Sequence, residues 1–154
     1  MPQYEKAPKK SIKTKSPRDI INGKLQVNDM VISDEFVLVE KDSDGKTISQ
    51  LLLENKEEAL LIKEGDKVVG IVSVHSILRA IADGKVELDL KAKDLMNTDI
   101  LEVNQNDALE DVLPEMYEKQ PQAVVVIDDN GNFVGYFSPT DCKLASIKLN
   151  FFED

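Results

Sequence analysis

Apolar residues Leu109, Val112, Leu113 and Met116 recur at i, i+3, i+4 and i+7, the spacing of one helix face. Asp107 stands ahead of them as a candidate N-cap. Glu110 and Asp111 fall in the first turn, where the helix dipole favours negative charge. Pro114 should kink or shorten this helix. The unbroken apolar run Ala123–Ile127 predicts a strand, and Phe133–Phe137 a returning strand. Asp128-Asp129-Asn130-Gly131 joins them as a tight hairpin, because Asn-Gly tolerates positive φ. Ser138-Pro139-Thr140-Asp141 then opens a last helix reaching about Leu149.

The same order occurs earlier in the chain. A helix is predicted from about Thr47 to Asn55 with Ile48, Leu51 and Leu52 inward. Ala59–Ile62 is a strand, Glu64-Gly65-Asp66 a turn and Val68–Val72 the return. Val74, Ile77, Leu78 and Ile81 form a second amphipathic face, stopped by Gly84. Short strands near Val37–Val39 and Leu101–Val103 precede the two first helices. At an offset of 65, with no gap, Leu25 falls on Leu90, Asp29 on Asp94, Asp34 on Asp99 and Asp42 on Asp107. Ile62 falls on Ile127, Gly70 on Gly135, Ser73 on Ser138 and Ala80 on Ala145. Two copies are too few for a solenoid. The expected fold is α/β (α+β): two β-α-β-β-α repeats about a pseudo-twofold axis, with any cleft between them. Residues 1–24 are an N-terminal arm, 25–89 the first repeat and 90–154 the second.

Composition alters this picture little. A chain of 154 residues, 42% hydrophobic and 31% charged, is an ordinary globular sequence with room for a buried core. Its aliphatic runs are too short to span a membrane, and its N-terminus lacks the apolar stretch of a signal peptide. A single cysteine, Cys142, excludes an internal disulfide framework. Together these point to the cytoplasm.

Charge distribution alters it more. Seven lysines and arginines in residues 1–24 face only Glu5 and Asp19, a net of +5, which leaves −15 for the rest. An acidic body disfavours nonspecific adhesion to nucleic acid. The arm has Tyr4 as its only aromatic residue and so lacks stacking platforms for single strands. It reads as a solvated tail, a segment folded onto an acidic surface, or a polyanion ligand. Residues 1–16 should be loose unless something holds them, and Ser16-Pro17 through Ile21 predicts a capped helical turn ended by Gly23.

Catalytic chemistry finds little support. There is no Gly-x-x-x-x-Gly-Lys phosphate loop, no HExxH and no paired Cys/His ligand spacing, so neither an enzyme nor a metal site is expected. Cys142 reads as a small half-buried residue. The segment beginning at Ser138 is more informative. Ser138 and Thr140 offer hydroxyls at a helix start, where free N–H groups and the dipole attract phosphate. Asp141 can accept two hydrogen bonds, which suits a vicinal diol. The same Ser-x-x-Asp spacing also makes a capping box. In the first copy Ser73-Val74-His75-Ser76 puts Ser76 in place of the acid and His75 in place of Thr140. His75 could donate to a phosphate or serve as a surface residue.

Several short motifs occur in one order in both copies. In the second they are Lys93-Asp94-Leu95-Met96, Asp107-Ala108-Leu109, Ala123-Val124-Val125-Val126-Ile127-Asp128, Asn130-Gly131, and Phe133-Val134-Gly135-Tyr136-Phe137-Ser138-Pro139-Thr140-Asp141. In the first they are Asn28-Asp29-Met30, Ala59-Leu60-Leu61-Ile62 and Val68-Val69-Gly70-Ile71-Val72-Ser73. Over about residues 25 to 149 the chain resembles the CBS domain, which occurs as tandem pairs called Bateman modules. The resemblance implies a stand-alone regulatory module whose clefts take an adenosine-type ligand: AMP, ADP, ATP or S-adenosylmethionine. It implies that Ser138, Thr140 and Asp141 bind ribose and phosphate together with Ile32, Ser33, Glu58 and Ala59 of the first repeat. A second cleft would use Ser73, His75, Ser76, Thr98 and Ala123. It also implies a face-to-face homodimer that signals to an effector protein. The chain departs from the family at Ser76, and at Leu60 and Val125 where proline is common. Glu57 and Glu58 would repel a polyphosphate if they pointed inward. The competing readings are a ligand-free dimerisation scaffold and polyanion binding through the arm.

Overall fold

Leu60–Ile62 and Val124–Val126 are runs with no polar side chain, and each becomes the buried middle of a sheet. The computed structural model describes residues 4–6, 25–56, 58–85 and 90–149. One sheet has the order β1-β2-β3-β4, made of β1 (Tyr4–Lys6), β2 (Phe36–Glu40), β3 (Ala59–Glu64) and β4 (Lys67–Val72). Strand β2 runs parallel to β3, from Phe36 opposite Ala59 to Glu40 opposite Lys63, and β3 runs antiparallel to β4. The other sheet is β5-β6-β7, made of β5 (Ile100–Asn104), β6 (Ala123–Ile127) and β7 (Phe133–Phe137). The helices are α1 (Gly45–Glu54), α2 (Val74–Ala82), the single turn α3 (Ala92–Leu95), α4 (Leu109–Lys119) and α5 (Pro139–Lys148).

The chain forms two compact units, and they do not coincide with the two sequence repeats. The first unit comprises Met1–Ala7 and Glu35–Ile100; the second comprises Pro8–Asp34 and Leu101–Asp154. Each repeat therefore sends its opening segment into the unit built on the other repeat's strands. In the second unit the Val27 N–H donates to the Asp107 carbonyl at 3.0 Å and the Leu109 N–H to the Leu25 carbonyl at 2.8 Å. In the first, the Ala92 N–H donates to the Ser43 carbonyl at 2.8 Å and the Gly45 N–H to the Leu90 carbonyl at 2.9 Å. Each unit has its own core. Val37, Val39, Ile48, Leu60, Ile62, Val72 and Ala92 are buried in the first. Val27, Val103, Leu109, Leu113, Val126, Phe137 and Ala145 are buried in the second.

The constant offset of 65 conceals two compensating shifts. The opening turns keep it: the Gln26 N–H donates to Asp29 Oδ2 and the Lys91 N–H to Asp94 Oδ2. The next elements are displaced by 64, since Gly45 begins α1 as Leu109 begins α4, and Leu60 opposes Val72 as Val124 opposes Phe137. The first repeat gains a residue ahead of β2, where Glu35 adopts a positive φ of 65°. The second repeat gains one in its β6–β7 hairpin, where Gly131 has φ 82°.

Four expectations change. Tyr4–Lys6 is not loose: it pairs antiparallel with β2, Tyr4 opposite Val39 and Lys6 opposite Val37. Asp107 is not the N-cap of α4; Ala108 holds that position, and Asp107 Oδ2 instead accepts from the Asn104 N–H at 2.9 Å. Pro114 neither shortens nor ends α4, because the bond it forgoes is to the exposed Glu110, in the first turn. Val74, Leu78 and Ile81 are exposed, and on α2 only Ala80 is buried. The helical turn expected at Ser16–Ile21 lies outside the described residues.

Candidate functional site

Helix α5 begins where β7 runs out of the second sheet. Proline at its first position pre-sets the helical φ, and Ser138 stays extended as N-cap. Ser138 Oγ accepts from the Asp141 N–H at 3.0 Å, and Asp141 Oδ2 accepts from the Ser138 N–H at 3.0 Å. The capping box is thus made in full. It is also buried: Ser138 is 3% and Asp141 2% exposed, whereas Thr140 lies at the surface. An acidic side chain this deep is held by hydrogen bonds and sits on the positive end of the helix dipole.

The opening segment of the first repeat reaches this place. The Tyr136 N–H donates to the Ile32 carbonyl at 2.7 Å. Gly135 makes the approach possible, because a Cβ there would lie 2.5 Å from the Ile32 carbonyl oxygen. Ile32 is half-buried, Ser33 is exposed and Asp34 is buried. The carboxylate oxygens of Asp34 and Asp141 come within 4.8 Å of each other. Of the residues assigned to the main cleft, Ile32, Ser33, Ser138, Thr140 and Asp141 belong to the second unit. Glu58 and Ala59 belong to the first, where both are half-buried and the Ala59 N–H donates to the Glu35 carbonyl at 2.9 Å. Glu57 lies outside the described residues.

Asp34 was legible only as a landmark of the duplication, matched to Asp99. Asp99 is exposed, so identity at the offset does not mark a shared environment.

The other predicted cleft residues are less enclosed. Ser73 caps α2, accepting from the Ser76 N–H at 3.3 Å, and Ser76 Oγ accepts from the Ser73 N–H at 3.1 Å. Serine thus performs the cap that aspartate performs in α5, at the surface: Ser73 is exposed and Ser76 half-buried. His75 is exposed, with Nε2 3.1 Å from an Arg79 guanidinium nitrogen. Arginine can only donate, so in this contact the imidazole nitrogen is the acceptor. Thr98 is exposed beside Asn97, whose backbone exchanges two hydrogen bonds with Ile71 at 2.8 and 2.9 Å. Ala123, the last residue of this set, is buried at the start of β6 in the second unit.

Ala123 lines a cavity of about 240 Å³ that the sequence did not signal, together with Met116, Tyr117, Pro121, Phe137, Pro139 and Cys142. Cys142 is half-buried as expected, and its Sγ lies 4.0 Å from the Tyr117 hydroxyl.

Comparison with known proteins fits this architecture. The family model of the CBS domain matches residues 27–83 and again 92–148. The protein MJ1232 of Methanocaldococcus jannaschii is 25% identical over 126 residues, which are 81% of this chain and 41% of MJ1232. The chain thus spans less than half the length of that relative. Among solved structures, CBSX2 in complex with AMP, a protein of Arabidopsis thaliana, superposes with a TM-score of 0.67 at 22% identity. The match covers 81% of this chain and 98% of that one. A CBS domain-containing protein of Bacillus anthracis superposes with a TM-score of 0.68 at 19% identity, over 90% of this chain and all of that one. With two full matches in tandem, the chain belongs to the CBS domain family, as a regulatory CBS pair.

Proposed function

We propose that this chain senses an adenosine-type metabolite through the start of α5 and passes the signal to an effector protein. The observation that carries the reading is Asp141: a carboxylate 2% exposed, in the first turn of a helix, joined to a buried Ser138. A carboxylate so placed can accept from a ribose diol, and the first-turn N–H groups favour an anionic substituent. CBSX2, which has the same fold, is described with AMP. The ligand class is AMP, ADP, ATP or S-adenosylmethionine, held by Ser138, Thr140 and Asp141 with Ile32 and Ser33. Occupancy of the set Ser73, His75, Ser76 and Thr98 is weaker, because Ser76 offers one hydroxyl where Asp141 offers a carboxylate. The protein works as a homodimer in the cytoplasm without catalysing a reaction. Its output is a population shift between two arrangements that bind the ligand differently.

A thermal-shift panel of the four ligands, with Asp141→Ala as control, tests the proposal. A ligand at a hundred times its dissociation constant adds about 2.7 kcal/mol to folding and raises the midpoint. The expected result is a shift with at least one ligand that Asp141→Ala removes. No shift with any of the four would leave a ligand-free scaffold as the better reading.

A further inference from the structure

The two sheets differ at one edge. In the first, β1 pairs antiparallel with the outer side of β2, Tyr4 opposite Val39, Glu5 opposite Leu38 and Lys6 opposite Val37. In the second, β5 is the terminal strand, and among the described residues none pairs with its outer side. Strands β2 and β5 correspond at an offset of 64, so Glu102 stands where Leu38 stands. The Gln105 N–H donates to the Ile127 carbonyl of β6, and backbone direction alternates along a strand, so Glu102 points its N–H outward. The neighbouring outward N–H groups are already engaged, Asn104 with Asp107 Oδ2 and Ile100 with the Thr98 carbonyl, each at 2.9 Å. An open edge of this kind is a template for one more strand.

Side chains at the edge define the strand it accepts. Leu101 and Val103 pack on the second core, while Glu102 is exposed. An added antiparallel strand therefore needs β-formers beside Leu101 and Val103 and a cation opposite Glu102, because directly opposed unlike charges stabilise and like charges repel. The surroundings are acidic as well. No lysine or arginine occurs from Asn97 to Glu118, and Asp129 accepts from the Asn104 side chain at 2.9 Å. The β5 strand of a second copy fits poorly, since full antiparallel overlap sets Glu102 against itself. Residues 7–24, which lie outside the described residues, supply the complement in sequence. They join Lys6, on the edge of the first sheet, to Leu25, whose carbonyl accepts from the Leu109 N–H in the second unit. These 18 residues reach up to about 60 Å when extended. They carry six basic side chains against Asp19 alone. Among them Ile12-Lys13-Thr14 is the one triplet that sets a cation between two β-branched residues, and Ile12 is the only large aliphatic residue before Ile20.

We infer that the outer edge of β5 is the docking site of the chain's own basic arm: Ile12-Lys13-Thr14 pairs there as a fourth strand, as Tyr4–Lys6 does in the first sheet. In this register Lys13 meets Glu102, Ile12 meets Val103 and Thr14 meets Leu101. The arm is then a segment folded onto an acidic surface, and its charge is spent on the edge rather than on a polyanion.

Paired cysteines in the full chain test the register. In a Cys142→Ser background, Lys13→Cys with Glu102→Cys is expected to form a disulfide within one chain on mild oxidation. Opposed residues that exchange hydrogen bonds have Cα atoms about 5.5 Å apart, inside the range a disulfide spans. Lys10→Cys with Glu102→Cys, out of register, is expected to link about tenfold more slowly. Hydrogen exchange reads the same pairing without cysteines. The Glu102 amide of the wild type is expected to exchange about tenfold more slowly than that of Lys13→Pro, in which the ladder is broken. Equal linking from positions 10 and 13, or a Glu102 amide that exchanges alike in the wild type and Lys13→Pro, overturns the proposal. A disulfide that joins two chains overturns it as well, and gives the edge to the arm of a second copy.

Discussion

Ser73 and Ser138 cap α2 and α5 with the same reciprocal pair of hydrogen bonds, yet the α5 cap is buried and the α2 cap is at the surface. The difference comes from what each helix start receives from elsewhere in the chain. Beside α5 lies the segment Ile32–Asp34, which brings a second buried carboxylate close to Asp141. Beside α2 the corresponding segment presents Asn97 and the exposed Thr98 and Asp99. One duplicated punctuation mark is thus enclosed at one helix start and exposed to solvent at the other.

The sharpest way to break this comparison is at the two glycines that admit the crossing segments. Gly135→Ala drives a methyl against the backbone carbonyl of Ile32, which is itself fixed by the Tyr136 N–H. We expect a loss of about 3 kcal/mol in urea denaturation, together with loss of ligand response. Gly70→Ala meets the Met96 side chain, whose sulfur at 2.6 Å can swing aside but whose Cβ at 2.9 Å is fixed to the backbone, and should cost about 2 kcal/mol. Equal losses would mean that the two crossings are equally rigid.

The caps come next. Removing the Asp141 carboxylate leaves the buried Ser138 N–H without its acceptor, so Asp141→Ala should destabilise by about 1–2 kcal/mol. Ser76→Ala, at the exposed cap, should cost about 0.5 kcal/mol. Comparing the two denaturation midpoints measures how much the enclosure adds.

The smallest effect is a pH dependence at the start of α1. The Thr47 N–H, donating at 2.8 Å, holds the Asp44 carboxyl below its ordinary value of 3.8 at the start of α1. A carboxyl depressed in the folded state contributes fully above its unfolded value and loses that contribution as pH falls through the folded one. Wild type should therefore exceed Asp44→Asn in stability near neutrality, and the gap should close below about pH 4. The equivalent position in the second repeat is Ala108, which has no carboxyl to titrate.

Much of the fold was legible in the residues. Apolar runs, period-3.6 patterns, the hairpin signals and the duplication located every strand from Phe36 onward and both long helices of each repeat. Three things were hidden, for physical reasons. The shift from 65 to 64 was masked because one extra residue at Glu35 is cancelled by one in the Asp128–Asn132 hairpin. Helical periodicity shows that Val74, Leu78 and Ile81 share a stripe but cannot tell which side of the helix meets the core. Strand β1 is three residues long, too short for any periodicity to show. At the site, Asp141 and Ser138 could be read from the capping signature, whereas Asp34 depended on a crossing that local patterns do not encode.

That crossing also sets the order in which the chain can mature on the ribosome. Apart from its three-residue edge strand, the first unit is contiguous, and all of it has emerged once residue 100 is clear. The second unit includes Leu25–Asp34 but needs the strands from β5 onward, so its opening segment must wait while the first unit is synthesised. Closing so long a loop slows formation of the second core and keeps Leu25, Val27 and Met30 exposed in the interval. At about 5–20 residues per second, the delay lasts several seconds. The unit that holds the start of α5 is therefore the last to form.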